Sequence, residues 1–480
     1  AEGRTREAEK FFEASIDAAE NARAPLPAEA YRLAFFAKTI EPYNNLTRLH
    51  LSAGNIEQAF ATVERSRSRV LSEAIAGPKR AEVTPSIAKL REELNWFYTR
   101  LSREDGEDVA RLQNEIRRRE KTLASETLRN ESLRRSRRAK SSITIDVAGL
   151  RSRLGRENAL IEFIEDGGLY SAFVVTHDGV AFVESIASID EIRSLLEGLH
   201  FQFGTLRFGG DAIRSFAGQL KARANAYLRE LYRKLIEPLA EAIGDRDLVF
   251  VPAGALNYVP FNALFDGERY LIESRKIVCA PSASIWASLN SRPTSQPAHA
   301  LLMAYADEKI PLANDEVKNL GRVLPKATRF TGKRATFAAF QENAPRADLI
   351  HLACHGQYRP DNPLFSSLHL ADGWVTVRDV TAISLKAKLV TLSACETGLN
   401  EVFAGEELLG LARGFLSAGA RSLVLSLWTV NDDATSRLMR DLYQNLQRGQ
   451  SIAASLRVAQ LKFIENGEHP YFWSPFFLIG

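Results

Sequence analysis

Two short segments about forty residues apart combine histidine, cysteine and glycine in a way that suits thiol chemistry. The first is His351-Leu-Ala-Cys-His355-Gly356, and the second is Leu392-Ser-Ala-Cys395-Glu-Thr-Gly398. A thiol becomes a nucleophilic thiolate near neutral pH when an imidazole lies beside it, and backbone N–H groups stabilise the oxyanion that its attack creates. We therefore predict that His355 and Cys395 form a catalytic pair, with the N–H groups of Gly356 and Cys395 as oxyanion donors.

Each segment follows a short apolar run that is typical of a buried parallel strand. The two runs are Asp348–Ala353 and Leu389–Leu392. Ligands and catalytic groups of an open α/β sheet gather at the carboxyl ends of its strands. We therefore expect His355 and Cys395 to meet across one crevice at that edge of the sheet.

The other two cysteines fit structural roles better. Cys354 alternates with Ile350 and Leu352 in an apolar set, and Cys279 lies inside the strand-like run Lys276–Ala280. Lone cysteines are most often small buried hydrophobic residues. We therefore predict that neither thiol reacts.

Alternative chemistries are less well supported by the sequence. His351 lies in the middle of a predicted strand, so we interpret it as a packed, hydrogen-bonded core histidine. A metal site built from His351, Cys354 and His355 is disfavoured, because His351 and Cys354 should project to opposite faces of the strand. There is no Gly-x-Ser-x-Gly motif and no complete phosphate-binding loop, so the sequence implies no metal and no cofactor.

The segment from about Leu248 to Gly480 resembles a CHAT domain, a branch of the caspase-like cysteine peptidases related to separases. The phrases that carry the resemblance stand in family order: Val251–Pro260, His351–Gly356, Leu392–Gly398, Gly405–Phe415, Ser426–Trp428 and His469–Trp473. The resemblance implies an α/β caspase-like fold, with a mostly parallel sheet flanked by helices. It also implies that the family's catalytic histidine corresponds to His355 and its nucleophile to Cys395.

Apolar runs and helical periods alternate through this predicted peptidase domain, residues 246–480. The predicted strands are Leu248–Pro252, His299–Ala306, Asp348–Ala353, Leu389–Leu392 and Ser422–Leu427, and the predicted helices are Asp315–Val323, Phe337–Asn343, Glu406–Ser417 and Ala434–Gln447. Strands separated by helices imply parallel pairing through right-handed crossovers.

Residues 141–245 are predicted to form a companion α/β subdomain without chemistry. Strands are expected at Ala159–Ile164, Leu169–Thr176 and Val180–Val183, because Asp-Gly turns separate them. His177 beside one turn is expected to be exposed. The block is similar to the non-catalytic caspase-like half of separase-like proteins.

The N-terminal part of the chain has helical periodicity. We predict a remnant of tetratricopeptide-like (TPR-like) repeats over residues 1–80, since Leu46–Leu51 and Ile56–Phe60 flank a small-residue turn. A plain helical bundle is the alternative. A charged helical hairpin is predicted over 81–140. The basic run Arg134–Lys140 either is a solvated linker, which we favour, or binds nucleic acid or an acidic surface.

Composition limits the class of protein. Hydrophobic residues make up 45% of the chain, enough for real cores, and the net charge of +3 is too small to favour nucleic acid as the main partner. Three scattered cysteines suggest a reducing, cytoplasmic location, and no apolar run reaches the ~18 residues of a membrane span. Because the chain begins with alanine, we expect it to be a fragment of something longer.

Substrate-pocket candidates come from the segment Leu427–Asp433, which follows the strand after the nucleophile. Trp428 and Asp432 are candidates there, and Asp361 is another. Relatives commonly have an acidic residue at the position of Asn431. Either aspartate is suited to attract a basic side chain, or both cap helices and turns.

The function predicted from these features is a caspase-like cysteine endopeptidase that cleaves a specific partner protein. The helical N-terminus would bind that substrate or a regulatory protein, and the family resemblance suggests bacterial defence or programmed cell death. The first alternative is an inactive caspase-like scaffold that only binds partners. The second is a small-molecule hydrolase or transferase using the same thiolate.

Overall fold

The chain divides into two compact units, Ala1–Val147 and Ala148–Gly480. The computed structural model describes residues 2–23, 39–67, 84–101, 108–132, 146–207, 216–291, 297–307, 310–357, 365–393, 395–396, 407–428 and 432–480. None of the helices within these ranges is long and apolar enough to cross a membrane.

The described part of the first unit is helical, as predicted. Its helices are α1 (Glu2–Arg23), α2 (Glu41–Ser52), α3 (Ile56–Arg67), α4 (Pro85–Leu101) and α5 (Val109–Ser132). Helices α2 and α3 pack as a pair across a turn in which Gly54 has a φ of 75°. This conformation suits glycine because it carries no Cβ. The predicted helix–turn–helix over Leu46–Phe60 is therefore confirmed.

Apolar packing and a buried hydrogen bond link helices of this unit. Ile16 of α1 packs on Tyr43 and Leu46 of α2 in a buried cluster. In the predicted hairpin, the Tyr98 hydroxyl of α4 donates to Glu120 of α5 over 2.7 Å. The basic run at residues 134–140 lies outside the described residues.

The second unit is built around one large sheet. Its strands are β1 (Asn158–Asp166), β2 (Leu169–Val175), β3 (Val180–Ser188), β4 (Asp247–Val251), β5 (Ile277–Cys279), β6 (Ala300–Tyr305), β7 (Thr328–Thr331), β8 (Leu349–Cys354), β9 (Gly356–Gln357), β10 (Ser367–Leu370), β11 (Gly373–Thr376), β12 (Leu389–Leu392), β13 (Cys395–Glu396), β14 (Leu423–Ser426) and β15 (Phe476–Ile479). The large sheet has the order β3-β2-β1-β4-β5-β15-β14-β12-β8-β6-β7, and a smaller sheet has the order β11-β10-β9-β13.

Most helices of this unit lie between strands of the large sheet along the chain. They are α6 (Val147–Leu154), α7 (Ile189–Arg207), α8 (Ala217–Leu235), α9 (Ala240–Ile243), α10 (Leu271–Ser274), α11 (Ala283–Leu289), α12 (Ala313–Val323), α13 (Phe337–Asn343), α14 (Val377–Thr381), α15 (Glu407–Ala418), α16 (Asp432–Gln447) and α17 (Ile452–Glu465). Local signals define several ends: the Thr336 hydroxyl caps α13, and Gly419, with a φ of 114°, follows α15 as predicted.

The large sheet is mostly parallel, which confirms the predicted fold class. Strands β7, β6, β8, β12 and β14 pair in parallel, as do β5 with β4 and β4 with β1. Every residue of β8 and β12 is buried, as expected for strands covered on both faces. The expectation of parallel pairing fails at the last strand, because β15 runs antiparallel to β14.

The predicted companion block and the predicted peptidase block contribute to the same large sheet. The three predicted strands of the companion block are present as an antiparallel β1–β2–β3 meander, and β1 joins β4. The domain boundaries at residues 80, 140 and 245 stay predictions about the modular organisation of the chain.

Candidate active site

The histidine and cysteine segments leave adjacent strands of the large sheet and remain neighbours beyond it. Strands β8 and β12 pair in parallel, with Leu352 opposite Leu392. Past the carboxyl ends of these strands, the two segments enter the small sheet, where Gly356 of β9 lies opposite Cys395 of β13. Paired strands lie about 4.8 Å apart. The structure therefore brings together the two backbone segments that the sequence analysis selected.

His355 lies between these two sheets, directly before Gly356. It is half-buried, and its backbone carbonyl accepts a hydrogen bond of 2.7 Å from the N–H of His369. Its imidazole meets the ring of Trp374 edge-on, with 5.8 Å between ring centroids and 71° between the planes. His355 is thus held at the strand end by a hairpin that the sequence analysis did not identify.

The hairpin consists of β10 and β11. A turn signal was present, since Ala371-Asp372-Gly373 separates two short runs of residues with strand propensity. His369 and Trp374 are directly opposite each other in its register, and their rings stack at 4.5 Å with 14° between planes.

His351 belongs to a buried polar network beneath the site, which confirms its interpretation as a core histidine. It is fully buried, and its Nδ1 atom lies 2.9 Å from the hydroxyl of Tyr443. That hydroxyl donates to Thr391 over 2.9 Å, and burial raises the pKa of Tyr443 well above its usual range. Nε2 of His351 lies 3.0 Å from Oε1 of Glu316, without the alignment of a hydrogen bond.

This network reaches the strand that leads to Cys395. Ser393, two residues before Cys395, donates its hydroxyl hydrogen to the other oxygen of Glu316 over 3.4 Å. Glu316 and Ser393 are both buried. The network therefore ties strands β8 and β12 to helices α12 and α16 just below the point where the two segments diverge from the large sheet.

The two cysteines predicted to be inert lie in packed surroundings. Cys354 is the last residue of β8 and is 2% exposed. Cys279 in β5 keeps some exposure, yet the groups packed around its sulfur raise the pKa of the thiol to about 12. Such a thiol holds its proton at neutral pH.

Of the three pocket candidates, Asp361 lies outside the described residues. Asp432 begins α16, and its Oδ2 atom accepts a hydrogen bond of 3.0 Å from the N–H of Leu312. Burial raises the pKa of Asp432, and the nearby charges of Glu316 and Asp307 add to this effect, while the Leu312 bond opposes it. Asp432 therefore holds the backbone just before α12, which lies 120 positions away in sequence, and its role in specificity stays a prediction.

Trp428 is a core residue in this structure, so its assignment to the substrate pocket gains no support. The ring is fully buried, and its Nε1 hydrogen is donated to the carbonyl of Tyr471 over 3.1 Å. The ring packs on those of Phe203 and His200, with 4.8 Å and 6.1 Å, respectively, between ring centroids. Within the part of the chain that the structure describes, no group of three or more His, Cys, Asp or Glu residues is arranged to hold a metal ion.

Two histidines beside this aromatic cluster, the buried His469 and the half-buried His200, predict a loss of stability in acid. Burial lowers the pKa of His200 to about 4 and is the main cause of the fall to about 4 for His469. In the unfolded chain histidine titrates near 6.5, so the unfolded state gains protons first as the pH falls. The stability contribution is present above pH 6.5 and is lost progressively towards pH 4.

We expect the free energy of unfolding to drop between pH 7.5 and pH 5 by roughly 2 kcal/mol for each of these histidines. Urea unfolding at the two pH values measures the drop. His200→Gln, which cannot be protonated in this range, should remove about half of it. If the free energy of unfolding of this variant fell between the two pH values by as much as that of the wild type, His200 would not contribute to the loss of stability in acid.

The fold and site define the class of protein: a mostly parallel, caspase-like sheet with a histidine and a cysteine segment at its carboxyl edge. The sequence model of the CHAT domain matches residues 225–480, and the chain belongs to this family.

Individual proteins are also similar to parts of this chain. Tetratricopeptide repeat protein 28 of Mus musculus is 25% identical over 348 residues, and that of Homo sapiens is 24% identical over 340 residues. These matches cover 58% and 56% of the chain, but only 14% of each relative's length. Separase in the Saccharomyces cerevisiae separase–securin complex superposes with a TM-score of 0.55 at 10% identity, covering 94% of this chain and 37% of separase. At this identity the likeness concerns the fold alone.

Proposed function

We propose that the chain is a caspase-like cysteine endopeptidase with Cys395 as nucleophile and His355 as general acid and base. The observation that carries the proposal is the register in which Gly356 lies opposite Cys395, which puts His355 one residue from the strand partner of the cysteine. A nucleophile and base brought together at the carboxyl edge of an α/β sheet suit acyl transfer.

The proposed reaction has two stages. The Cys395 thiolate attacks the carbonyl carbon of a peptide bond, and the N–H groups of Gly356 and Cys395 stabilise the resulting oxyanion. The protonated His355 then gives its proton to the departing amine as the C–N bond breaks, leaving an acyl-thioester. His355 next takes a proton from water, which attacks the thioester and releases the acid and the thiol.

Negative charge near the carboxyl edge of the sheet supports a basic residue before the cleaved bond. The raised pKa of Asp432 arises first from burial and then from the charges of Glu316 and Asp307. A lysine or arginine side chain beside Asp432 would offset both effects, because an opposite charge favours the ionised carboxylate. Asp361 stays a second candidate for this role.

The helical first unit supports recognition of a protein rather than of a short peptide. Its α2–α3 pair is a helix–turn–helix of the kind that repeat proteins use to bind partners, and the mouse and human relatives carry tetratricopeptide repeats in their name. We propose that this unit binds the substrate or a regulatory protein. A role in bacterial defence or programmed cell death stays a prediction.

New protein termini in a proteome test this function. Incubation with the wild-type chain should create a small set of new N-termini, and the residue preceding them should be lysine or arginine. Neither Cys395→Ala nor His355→Ala should create them. A folded chain that produces no such termini, or produces the same ones in both variants, would favour the scaffold.

Removal of residues 1–140 is the second arm of this experiment. Hydrolysis of a short peptide with the preferred residue should persist, while cleavage of the protein substrates should disappear. Retained cleavage of those proteins would show that the helical unit does not select them.

A further inference from the structure

We propose that Trp374 is a positioning residue for His355, held in place by His369. The proposal rests on the proposed function, because the orientation of His355 matters for a thiol peptidase. It adds two residues that stand outside the His355–Cys395 pair. Both lie on the β10–β11 hairpin, which is part of the same small sheet as β9 and β13.

The hairpin register brings Trp374 against the imidazole of His355. Leu368 of β10 lies opposite Gly356, and His369 lies opposite Trp374. As a result, the N–H of His369 donates to the carbonyl of His355 over 2.7 Å, and the Trp374 ring meets the imidazole edge-on at 5.8 Å. Backbone and side chain of His355 are thus both contacted by this one hairpin.

His369 in turn fixes the plane of Trp374. The imidazole of His369 stacks on one face of the indole, with 4.5 Å between the ring centroids and 14° between the ring planes. His369 is itself held at the end of β6, where Tyr305 meets its ring edge-on at 5.0 Å and Asp307 lies 3.8 Å from its Nδ1 atom. Trp374 is only 4% exposed, so it has little freedom to turn away.

We expect the contact with Trp374 to orient the imidazole of His355 rather than to strengthen substrate binding. His355 follows the last residue of β8 and is half-buried, and the Trp374 ring forms a wall against its imidazole that limits the rotamers it can adopt. A misplacement of about 1 Å can slow catalysis by about 10²-fold. Loss of the Trp374 ring should therefore reduce kcat while leaving KM nearly unchanged, because a side chain that is only 4% exposed offers a substrate almost no surface.

The test compares Trp374→Leu and Trp374→Phe with Trp286→Leu in the full-length chain. Trp286 in α11 is a matched control, since it is 7% exposed and belongs to a helix outside the small sheet. Trp374→Leu should lower kcat for a peptide substrate by about 10- to 100-fold with KM within about twofold. Trp374→Phe, which keeps an aromatic wall, should restore kcat to within a few-fold, and Trp286→Leu should leave it unchanged.

A second measurement does not depend on catalysis. NMR spectra of labelled histidine rings, with His355 assigned from His355→Gln, report the environment of the imidazole directly. In the wild type the indole ring current should displace the His355 ring-proton shifts. This displacement should be lost in Trp374→Leu and retained in Trp286→Leu.

The two measurements separate failure of this inference from failure of the proposed function. The wild-type chain could cut no peptide while the His355 resonances still change in Trp374→Leu. That result would support the contact between Trp374 and His355 and rule out the proposed peptidase function. Unchanged resonances together with an unchanged kcat would overturn the positioning role. If Trp374→Leu does not fold, kcat and the His355 ring-proton shifts are measured in His369→Ala instead. This variant removes the stacked imidazole and keeps the indole.

Discussion

Cys395→Ala is expected to abolish peptide cleavage and labelling by a thiol-reactive peptide probe. Loss of a nucleophile that works together with a base typically costs several orders of magnitude in rate. The backbone of Cys395 pairs with Gly356 at the carboxyl edge of the sheet, where a substrate carbonyl can approach. Mass spectrometry of the labelled chain and the rate of peptide hydrolysis measure both effects.

Cys354→Ala and Cys279→Ala are the controls for this experiment. Both variants should keep labelling and cleavage largely intact, because Cys354 is buried and the pKa of Cys279 is raised to about 12. Labelling of all three cysteines at equal rates in the folded wild-type chain would contradict an activated thiol at Cys395.

The part of the fold that carries the site was predictable because it depends on local patterns. Strands β8 and β12 are short runs of buried apolar residues, and a parallel strand covered on both faces leaves that pattern in the sequence. Their adjacency followed from the expected topology of an α/β sheet. The convergence of their carboxyl ends was therefore foreseeable from residues 348–356 and 389–398 alone.

The small sheet could not be predicted in the same way. Strands β9 and β13 have two residues each, too few to show a periodic pattern. They exist because their backbone pairs with neighbours across gaps of about forty residues. The β10–β11 hairpin left only a short turn signal, so the stack of His369 on Trp374 became visible only in the folded chain.

Long-range packing also explains why Trp428 is buried. The segment that follows a strand next to the nucleophile suggested an open pocket. The indole is instead covered by Phe203 and bound to the carbonyl of Tyr471, residues far from it in sequence. His351 also has a hydrogen-bond partner that is distant in sequence, since Tyr443 lies 92 positions further along the chain. The pattern around His351 predicted burial but not the partners that satisfy its ring nitrogens.

Replacement of the two histidines of the first segment should separate catalysis from stability. His351→Ala removes the side chain that Glu316 and Tyr443 share in a buried network. Leaving buried polar and charged groups without a partner is costly, so we expect the free energy of unfolding to fall by about 3 kcal/mol or more. Urea unfolding of the variant measures this loss.

His355→Ala should have the opposite profile. Its side chain is half-buried at the end of a strand, so the variant should unfold within about 0.5–1 kcal/mol of the wild type. Cleavage should nevertheless fall by several orders of magnitude, because the thiol loses its base and the departing amine loses its proton donor. The rate of peptide hydrolysis, measured below the unfolding transition, checks this.

His177→Ala is the matched control for both variants, because its side chain is 43% exposed beside a hairpin turn. It should change neither stability nor rate by a measurable amount. Normal cleavage by a folded His355→Ala variant would show that another imidazole acts as the base. Within the described residues of the second unit, His369 would be the next candidate, since its ring stacks on Trp374 in the same small sheet.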